Sequence, residues 1–355
     1  MALRFSANLS WLFPELPALP ARLEAAAAAG FGAVEAAWPA GCPAQELRAA
    51  AERARVRIAL LNTPPGDPEA GELGLAAVPG RQAAFRQGLE AAVHYARAVG
   101  CPRIHVMAGR VPLGTDRAAV AGEMETTFIE NLKYTADLLS QEDMIGLLEP
   151  INNRITDPRY YLNTPHQAAA ILEKVGRPNL KLQLDLFHCQ IMDGNLSRNL
   201  ETYFPLIGNT LCPDHWGVAL TGPSYSRSAV AGRGCGAALG SPCLMPKKAA
   251  GRAALGMASP LPSLGHIQIA QVPGRHEPDS PGELNFPYIF ELLESLSYTG
   301  YVGCEYAPKG EWPAGLSPTG RAKHRPAGWE LCKDRQVLGG TGSGCHPYLG
   351  MRALS

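Results

Sequence analysis

The sequence predicts an α/β chain of the TIM (β/α)8 barrel type, on three observations. Short apolar runs alternate with helix-forming segments through residues 1–208, at a repeat of about thirty residues. After an interruption the same rhythm resumes and brings the strands to eight, the number that closes such a barrel. Four of the runs end in an acidic or amide side chain, and strand C-terminal ends converge on one face of this architecture.

The runs Leu3–Asn8, Ala33–Trp38, Val56–Asn62, Arg103–Ala108, Ile145–Ile151 and Leu180–Phe187 read as the first six strands. They are largely apolar, as strands covered on both faces must be. A helix is expected in each interval. Ala21–Ala29 is nearly all strong helix formers, and Gly30 suits a left-handed cap. Arg81–Val99 likewise ends before Gly100. Val120, Met124, Phe128, Leu132 and Leu139 share one side of a helix opening near Asp116. Thr164-Pro165 opens a helix reaching Val175, and Asn195–Ile207 is the sixth. Strand His266–Val272, helix Pro287–Leu296 and strand Tyr301–Tyr306 follow.

Two segments break this rhythm. Asn209–Gly265 is rich in Gly, Ala, Ser and Pro and keeps no helical or strand period, so it reads as a disordered low-complexity insertion before strand seven. After Lys309, Pro313, Pro318, Pro326 and a Gly-Thr-Gly-Ser-Gly run leave only a degenerate eighth helix. The expected organisation is therefore a barrel domain over 1–309, interrupted by 209–265, with an irregular tail over 310–355. The insertion joins helix six to strand seven, on the face opposite the strand C-terminal ends. Closure entropy grows slowly with loop length there, whereas a missing last helix would leave strands eight and one uncovered.

Composition narrows the function classes. In 355 residues, 46% are apolar, and Lys+Arg balances Asp+Glu at 32 each. The insertion holds five basic residues against one acidic and the tail six against three, which leaves the remaining core seven charges negative. An acidic core disfavours nucleic acid and accommodates a cation. The nine cysteines form no metal-finger spacing, which suits a reducing, cytoplasmic setting. The N-terminal residues, without a basic region followed by a long apolar stretch, read as no secretion signal, and no apolar run approaches membrane-spanning length.

The chemistry concentrates at Glu149, Asp185, Gln268 and Glu305, at the tips of strands five to eight. A carboxylate ending a buried run costs free energy unless something pairs with it. Any one of them alone reads as a loop-end salt bridge or helix cap. Four in succession suggest a shared site, and three carboxylates with one amide oxygen suit a hard divalent ion, Mg²⁺ or Mn²⁺. His188 is either a strand-end histidine bonded to a backbone carbonyl or a holder of a substrate oxygen. Arg275 is either a surface cation or the grip on a substrate carboxylate; Arg110 and Arg154 are weaker candidates of the same kind. Asn62, His105 and Glu35 also end strands and face the expected cavity, although Glu35 suits pairing with a neighbouring helix equally well. Trp11 and Phe5 read as pocket walls or as simple packing. Two glutamates facing each other across a small sugar-like molecule can move a proton between adjacent carbons, with a metal stabilising the enediolate.

At these residues the chain resembles the hydroxypyruvate isomerase family of the xylose-isomerase-like barrels. The motifs are Arg4-Phe-Ser-Ala-Asn-Leu-Ser-Trp11, Asn62-Thr-Pro-Pro-Gly-Asp67, Gly146-Leu-Leu-Glu-Pro-Ile-Asn152, Gln183-Leu-Asp-Leu-Phe-His188, Gln190-Ile-Met-Asp-Gly-Asn195, His266-Ile-Gln-Ile-Ala-Gln-Val-Pro-Gly-Arg-His-Glu-Pro278, Gly282-Glu-Leu-Asn-Phe-Pro287 and Gly303-Cys-Glu-Tyr306. The resemblance covers about residues 1–208 and 266–309. It implies reversible isomerisation of hydroxypyruvate to 2-hydroxy-3-oxopropanoate (tartronate semialdehyde), with Glu149 and Glu305 as the proton donor/acceptor pair. It also places Glu149, Asp185, Gln268 and Glu305 at the metal positions of related ketose epimerases, which have a histidine where Gln268 stands, and His188 and Arg275 at substrate-holding positions. The implied partner is a small hydroxy-keto acid, not nucleic acid or a membrane, and a homo-oligomer is compatible with the sequence. The segment 209–265 intrudes between pieces that the family joins directly, and the tail departs from it too. The alternatives are therefore a sugar epimerase on the same barrel and a non-catalytic isoform. A DNA-repair endonuclease would need a histidine-rich multi-metal site and a basic groove.

Overall fold

The computed structural model describes residues 2–208 and 264–309; the expected low-complexity insertion and the degenerate eighth helix lie outside them, apart from Leu264 and Gly265. Eight parallel strands close a barrel in sequence order: β1 (Arg4–Asn8), β2 (Ala33–Ala36), β3 (Arg57–Asn62), β4 (Arg103–His105), β5 (Ile145–Leu148), β6 (Leu180–Asp185), β7 (His266–Ile269) and β8 (Tyr301–Cys304). Closure is made by β1 against β8, in the register Arg4 to Tyr301 through Ala7 to Cys304. Most strands end earlier than their apolar runs, because pairing stops at the rim while the chain continues as buried loop. Val106, Met107 and Ala108 remain buried after β4 has ended.

The described helices are α1 (Leu19–Ala28), α2 (Ala44–Ala54), α3 (Gln82–Val99), α4 (Arg117–Gln141), α5 (Pro165–Val175), α6 (Leu186–Met192), α7 (Leu196–Ile207) and α8 (Phe286–Ser295). The expected stripe on α4 is real: Met124, Phe128, Leu132 and Leu139 are buried and Val120 packs at its edge. Its N-cap is Asp116, which accepts from Ala118 N, and Thr164 caps α5 by accepting from Gln167 N. Gly100 takes the left-handed cap of α3 at φ 72°. Helix α6 is unforeseen. It begins directly after β6 and takes Leu186 and Phe187 out of the expected strand. Outside the barrel, Phe5 of β1 meets Phe290 of α8 edge to face at 5.5 Å, so Phe5 is packing and not a pocket wall.

The barrel resumes at Leu264, which is buried and accepts through its carbonyl from Arg103 Nε at 3.2 Å. Gly265 N donates to Ile207 O at 2.8 Å, and a Cβ on Gly265 would lie 2.3 Å from Leu182 O. These two residues therefore belong to the barrel floor and not to the insertion. The ends of α7 and β7 stand side by side, which gives a prediction. Replacing 209–263 with a two- or three-residue bridge keeps the soluble yield, the cooperative melt and the substrate preference. A variant that no longer folds would refute it.

Candidate active site

Register brings the four strand-tip residues into adjacent layers. Asp185 pairs with Gln268, and Gln268 with Gly303, so these three are level; Glu305 lies two residues beyond Gly303 on the same side. Glu149 follows Leu148, the partner of Leu182, and so stands level with Gln183. Glu149, Asp185 and Gln268 are buried, and the Glu305 side chain is 14% exposed.

Burial first, then the negative charges of Glu305 and Asp185, push the Glu149 carboxyl well above the usual range. Burial also lifts Glu305, to about 8, against the opposing pull of Arg275. Arg275 is the cation among these acids. Its Nη2 lies 3.3 Å from Asp185 Oδ2 and 3.1 Å from Glu305 Oε2; the latter is a charge contact without hydrogen-bond alignment. Its guanidinium sits over the rings of Trp11 at 4.4 Å and Phe187 at 4.9 Å, which makes Trp11 a wall of the site.

Asp185 has two duties. Its Oδ1 accepts from Phe187 N and caps α6, which leaves Oδ2 for Arg275 and for His188 Nε2 at 3.4 Å. His188 thus reaches the site from the first turn of a helix. Its tautomer follows from Asn152, whose Oδ1 accepts from Ile155 N and Thr156 N, turning Nδ2 toward His188 Nδ1 at 2.7 Å. Nδ1 must accept, so a neutral ring carries its hydrogen on Nε2, toward the carboxylates. Burial lowers this histidine to about 4 and keeps it neutral. Ligand atoms of Glu149, Asp185 and His188 lie within 4.8 Å of one another. With its hydrogen on Nε2, His188 presents a donor to these carboxylates.

Below this cluster lies an amide network. Gln183 Nε2 donates to Glu149 Oε2 at 2.8 Å and to Gln268 Oε1 at 2.6 Å. Gln268 Nε2 donates to Glu35 Oε1 at 2.8 Å. The sequence left Glu35 free to pair with a helix. Instead it lies inside the barrel, bonded to Ser6, Asn8, Gln268 and His266, the last at 2.6 Å. Burial alone would raise its carboxyl, but the charge and hydrogen bond of His266, with the hydrogen bonds of Gln268 and Ser6, hold it below the usual range. His105 Nδ1 stands 3.3 Å from Glu149 Oε2, and burial pushes this histidine down to about 3.

Asn62 ends β3 half-buried, level with His105. Arg110 is not brought into the cluster. Its Nε binds Asp157 Oδ2 at 2.6 Å and its Nη1 binds Gly71 O at 2.7 Å, so it ties rim loops together. Arg154 donates to Met192 O at 3.5 Å, and its charge opposes the upward push of burial on the Asp193 carboxyl. Sequence reasoning passed over Gln183, Asn152 and the role of His266. For Gln183 a signal existed: the two-residue period of a strand puts it on the same face as Asp185.

The acids suit a divalent cation chemically. Three carboxyl groups share a buried site with the Arg275 guanidinium, and an amide oxygen lies on the layer of Asp185. Among the described residues no helix is long and apolar enough to cross a membrane.

The family model "Xylose isomerase-like TIM barrel" matches residues 23–322. A human protein named "Putative hydroxypyruvate isomerase" is 54% identical over 315 residues, 89% of this chain and 93% of its own. A 2-oxo-tetronate isomerase of Cupriavidus necator is 39% identical over 313 residues, 88% of this chain and 96% of its own. The crystal structure of a Brucella melitensis protein titled AP endonuclease, family 2, superposes with a TM-score of 0.67 at 36% identity, over 88% of this chain and 95% of that one. The curated relatives carry isomerase names at identities up to 54%, and the chain is an enzyme of that class. It belongs to the xylose isomerase-like TIM barrel family, on the branch of the hydroxypyruvate isomerases.

Proposed function

We propose that the chain interconverts hydroxypyruvate and 2-hydroxy-3-oxopropanoate by proton transfer through an enediolate, with Glu305 and Glu149 as the exchanging pair. The observation that carries this reading is the buried juxtaposition of the two glutamates, in which Glu305 raises the Glu149 carboxyl. Arg275 faces Glu305 directly, so Glu305 is the more readily ionised of the two and Glu149 the better proton holder.

Hydroxypyruvate carries a carboxylate, and no described residue takes the Nη1 donors of Arg275, which are free for that group. Glu305 removes a proton from the hydroxymethyl carbon. The electron pair forms the carbon–carbon double bond, and the former carbonyl oxygen takes the negative charge. His188 Nε2–H donates to that oxygen. Glu149 delivers its proton to the carbon that bore the carbonyl. One hydroxyl proton moves from the outer oxygen to the inner one as the aldehyde forms. Glu149, Asp185 and Glu305, with the second lone pair of Gln268 Oε1, are the groups that would hold a divalent cation. A bound cation would polarise the two substrate oxygens and stabilise the charge that develops on them.

Three relatives, at 39%, 37% and 34% identity, are named 2-oxo-tetronate isomerase and favour one further substrate, 2-oxo-tetronate, which offers the same keto acid to Arg275. A nucleic-acid substrate finds no support in a core that is seven charges negative. The deciding experiment is an assay of the purified chain on hydroxypyruvate, 2-oxo-tetronate and neutral ketoses, with and without chelator. Turnover of the acids and little of the sugars is expected. Equal turnover of neutral sugars would overturn the assignment, and activity lost to chelator and restored by Mg²⁺ or Mn²⁺ would establish the cation.

A further inference from the structure

We propose that Glu35, on the far side of the barrel interior, is a positioning residue that sets the rotation of the Glu149 carboxyl through Gln268 and Gln183. This rests on the reading of Glu149 as a proton carrier. All four side chains are buried. An amide can present either end to its neighbour, and rotating the group exchanges donor for acceptor. A carboxylate only accepts, so Glu35 Oε1 binds Gln268 by its nitrogen, at 2.8 Å. Gln268 must then show its oxygen to Gln183. Gln183 answers with its nitrogen at 2.6 Å, and the other hydrogen of that nitrogen reaches Glu149 Oε2 at 2.8 Å.

The polarity is thus propagated from Glu35. Gln183 adopts this orientation although its Oε1 is left without a hydrogen-bond partner. A buried amide oxygen without a partner is costly, so the orientation is imposed by the neighbours and not chosen by Gln183. The result is an asymmetric carboxyl on Glu149. Oε2 is anchored by Gln183, while Oε1 faces His188 Nε2 at 3.8 Å, on the Asp185 side of the site. Oε1 is therefore the oxygen that exchanges the proton with substrate. The backbone makes room for this: a Cβ on Gly303 would fall 2.6 Å from both oxygens of Glu35, at a residue whose conformation does not otherwise demand glycine.

The test compares Glu35→Gln with Ser6→Ala. Ser6 bonds Glu35 Oε2, the oxygen turned away from Gln268, so its loss weakens the core without reversing the amides. Glu35→Gln puts an amide against Gln268. Its kcat on hydroxypyruvate should fall roughly ten- to hundredfold, with KM within about twofold of wild type. Ser6→Ala should lower the melt and keep kcat within about twofold. Gly303→Ala, which displaces the Glu35 carboxylate, should follow Glu35→Gln. If Glu35→Gln does not fold, Gln183→Met removes the last link with little change of shape and should show the same split. Full kcat in Gln183→Met or in folded Glu35→Gln, beside an inactive Glu149→Gln, overturns the relay alone. Normal kcat in Glu149→Gln overturns the reading on which it stands.

Discussion

Glu149→Gln and Glu305→Gln each reduce turnover by roughly a thousandfold or more, the scale of losing a positioned acid or base. The folded protein survives both changes, because an amide is nearly isosteric with a protonated carboxyl and that form is favoured for each residue by burial. Linkage strengthens the prediction. Glu305 is raised from its ordinary 4.5 to about 8, so the folded state binds its proton more tightly than the unfolded chain does. The resulting stabilisation is complete below pH of about 4.5 and is lost as pH rises through about 8. The metal-free wild type should therefore lose melting temperature across that interval, and Glu305→Gln should flatten the loss. Activity should run the opposite way on its alkaline approach, rising as Glu305 ionises. Near-normal activity in either variant would eliminate the two-glutamate mechanism, and parallel wild-type and Glu305→Gln melting curves would remove the proposed protonation.

Arg275→Met has the second largest effect. It takes the Arg275 guanidinium from Glu305 and Asp185 and leaves the stacked position between Trp11 and Phe187 to an uncharged chain. kcat/KM on hydroxypyruvate should drop about a hundred- to thousandfold, because the proposed Nη1 contact with the substrate carboxylate and the charge that keeps the base ionisable are lost together. Breaking a buried ion pair costs about 3–5 kcal/mol when the surviving charge cannot neutralise. Glu305 can take a proton, so the destabilisation should be small at acid pH and grow as pH rises through about 8. Arg275→Lys keeps the charge but not the fork, and should fall between the two. A variant with wild-type KM for hydroxypyruvate would show that the substrate carboxylate binds elsewhere.

The barrel and its acidic site were legible for a common reason. Buried parallel strands are apolar on both faces, so Glu149, Asp185 and Glu305 stood out from their runs. Where the reading failed, the missing information was three-dimensional. Leu186 and Phe187 are as apolar as a strand, and only the cap made by Asp185 Oδ1 shows that a helix starts there. The partners of Arg110, at Gly71 and Asp157, lie on other loops, so nothing near it in sequence marks it as a rim clamp. Glu35 is 231 positions from His266, and their pairing exists only because the sheet closes. Amide orientations are harder still, since Gln183 and Asn152 reveal their polarity only through the atoms opposite them.

The meeting of Ile207 and Gly265 at the barrel floor also bears on how the molecule can be assembled. A chain cut at that point would yield one fragment carrying six strands and another carrying the last two, with each supplying one of the paired glutamates. Neither piece alone would hold both, and the edges of β6 and β1 would recruit the smaller piece by strand pairing. The enzyme is thus divisible there into complementary fragments whose reunion could be read directly as recovered catalysis.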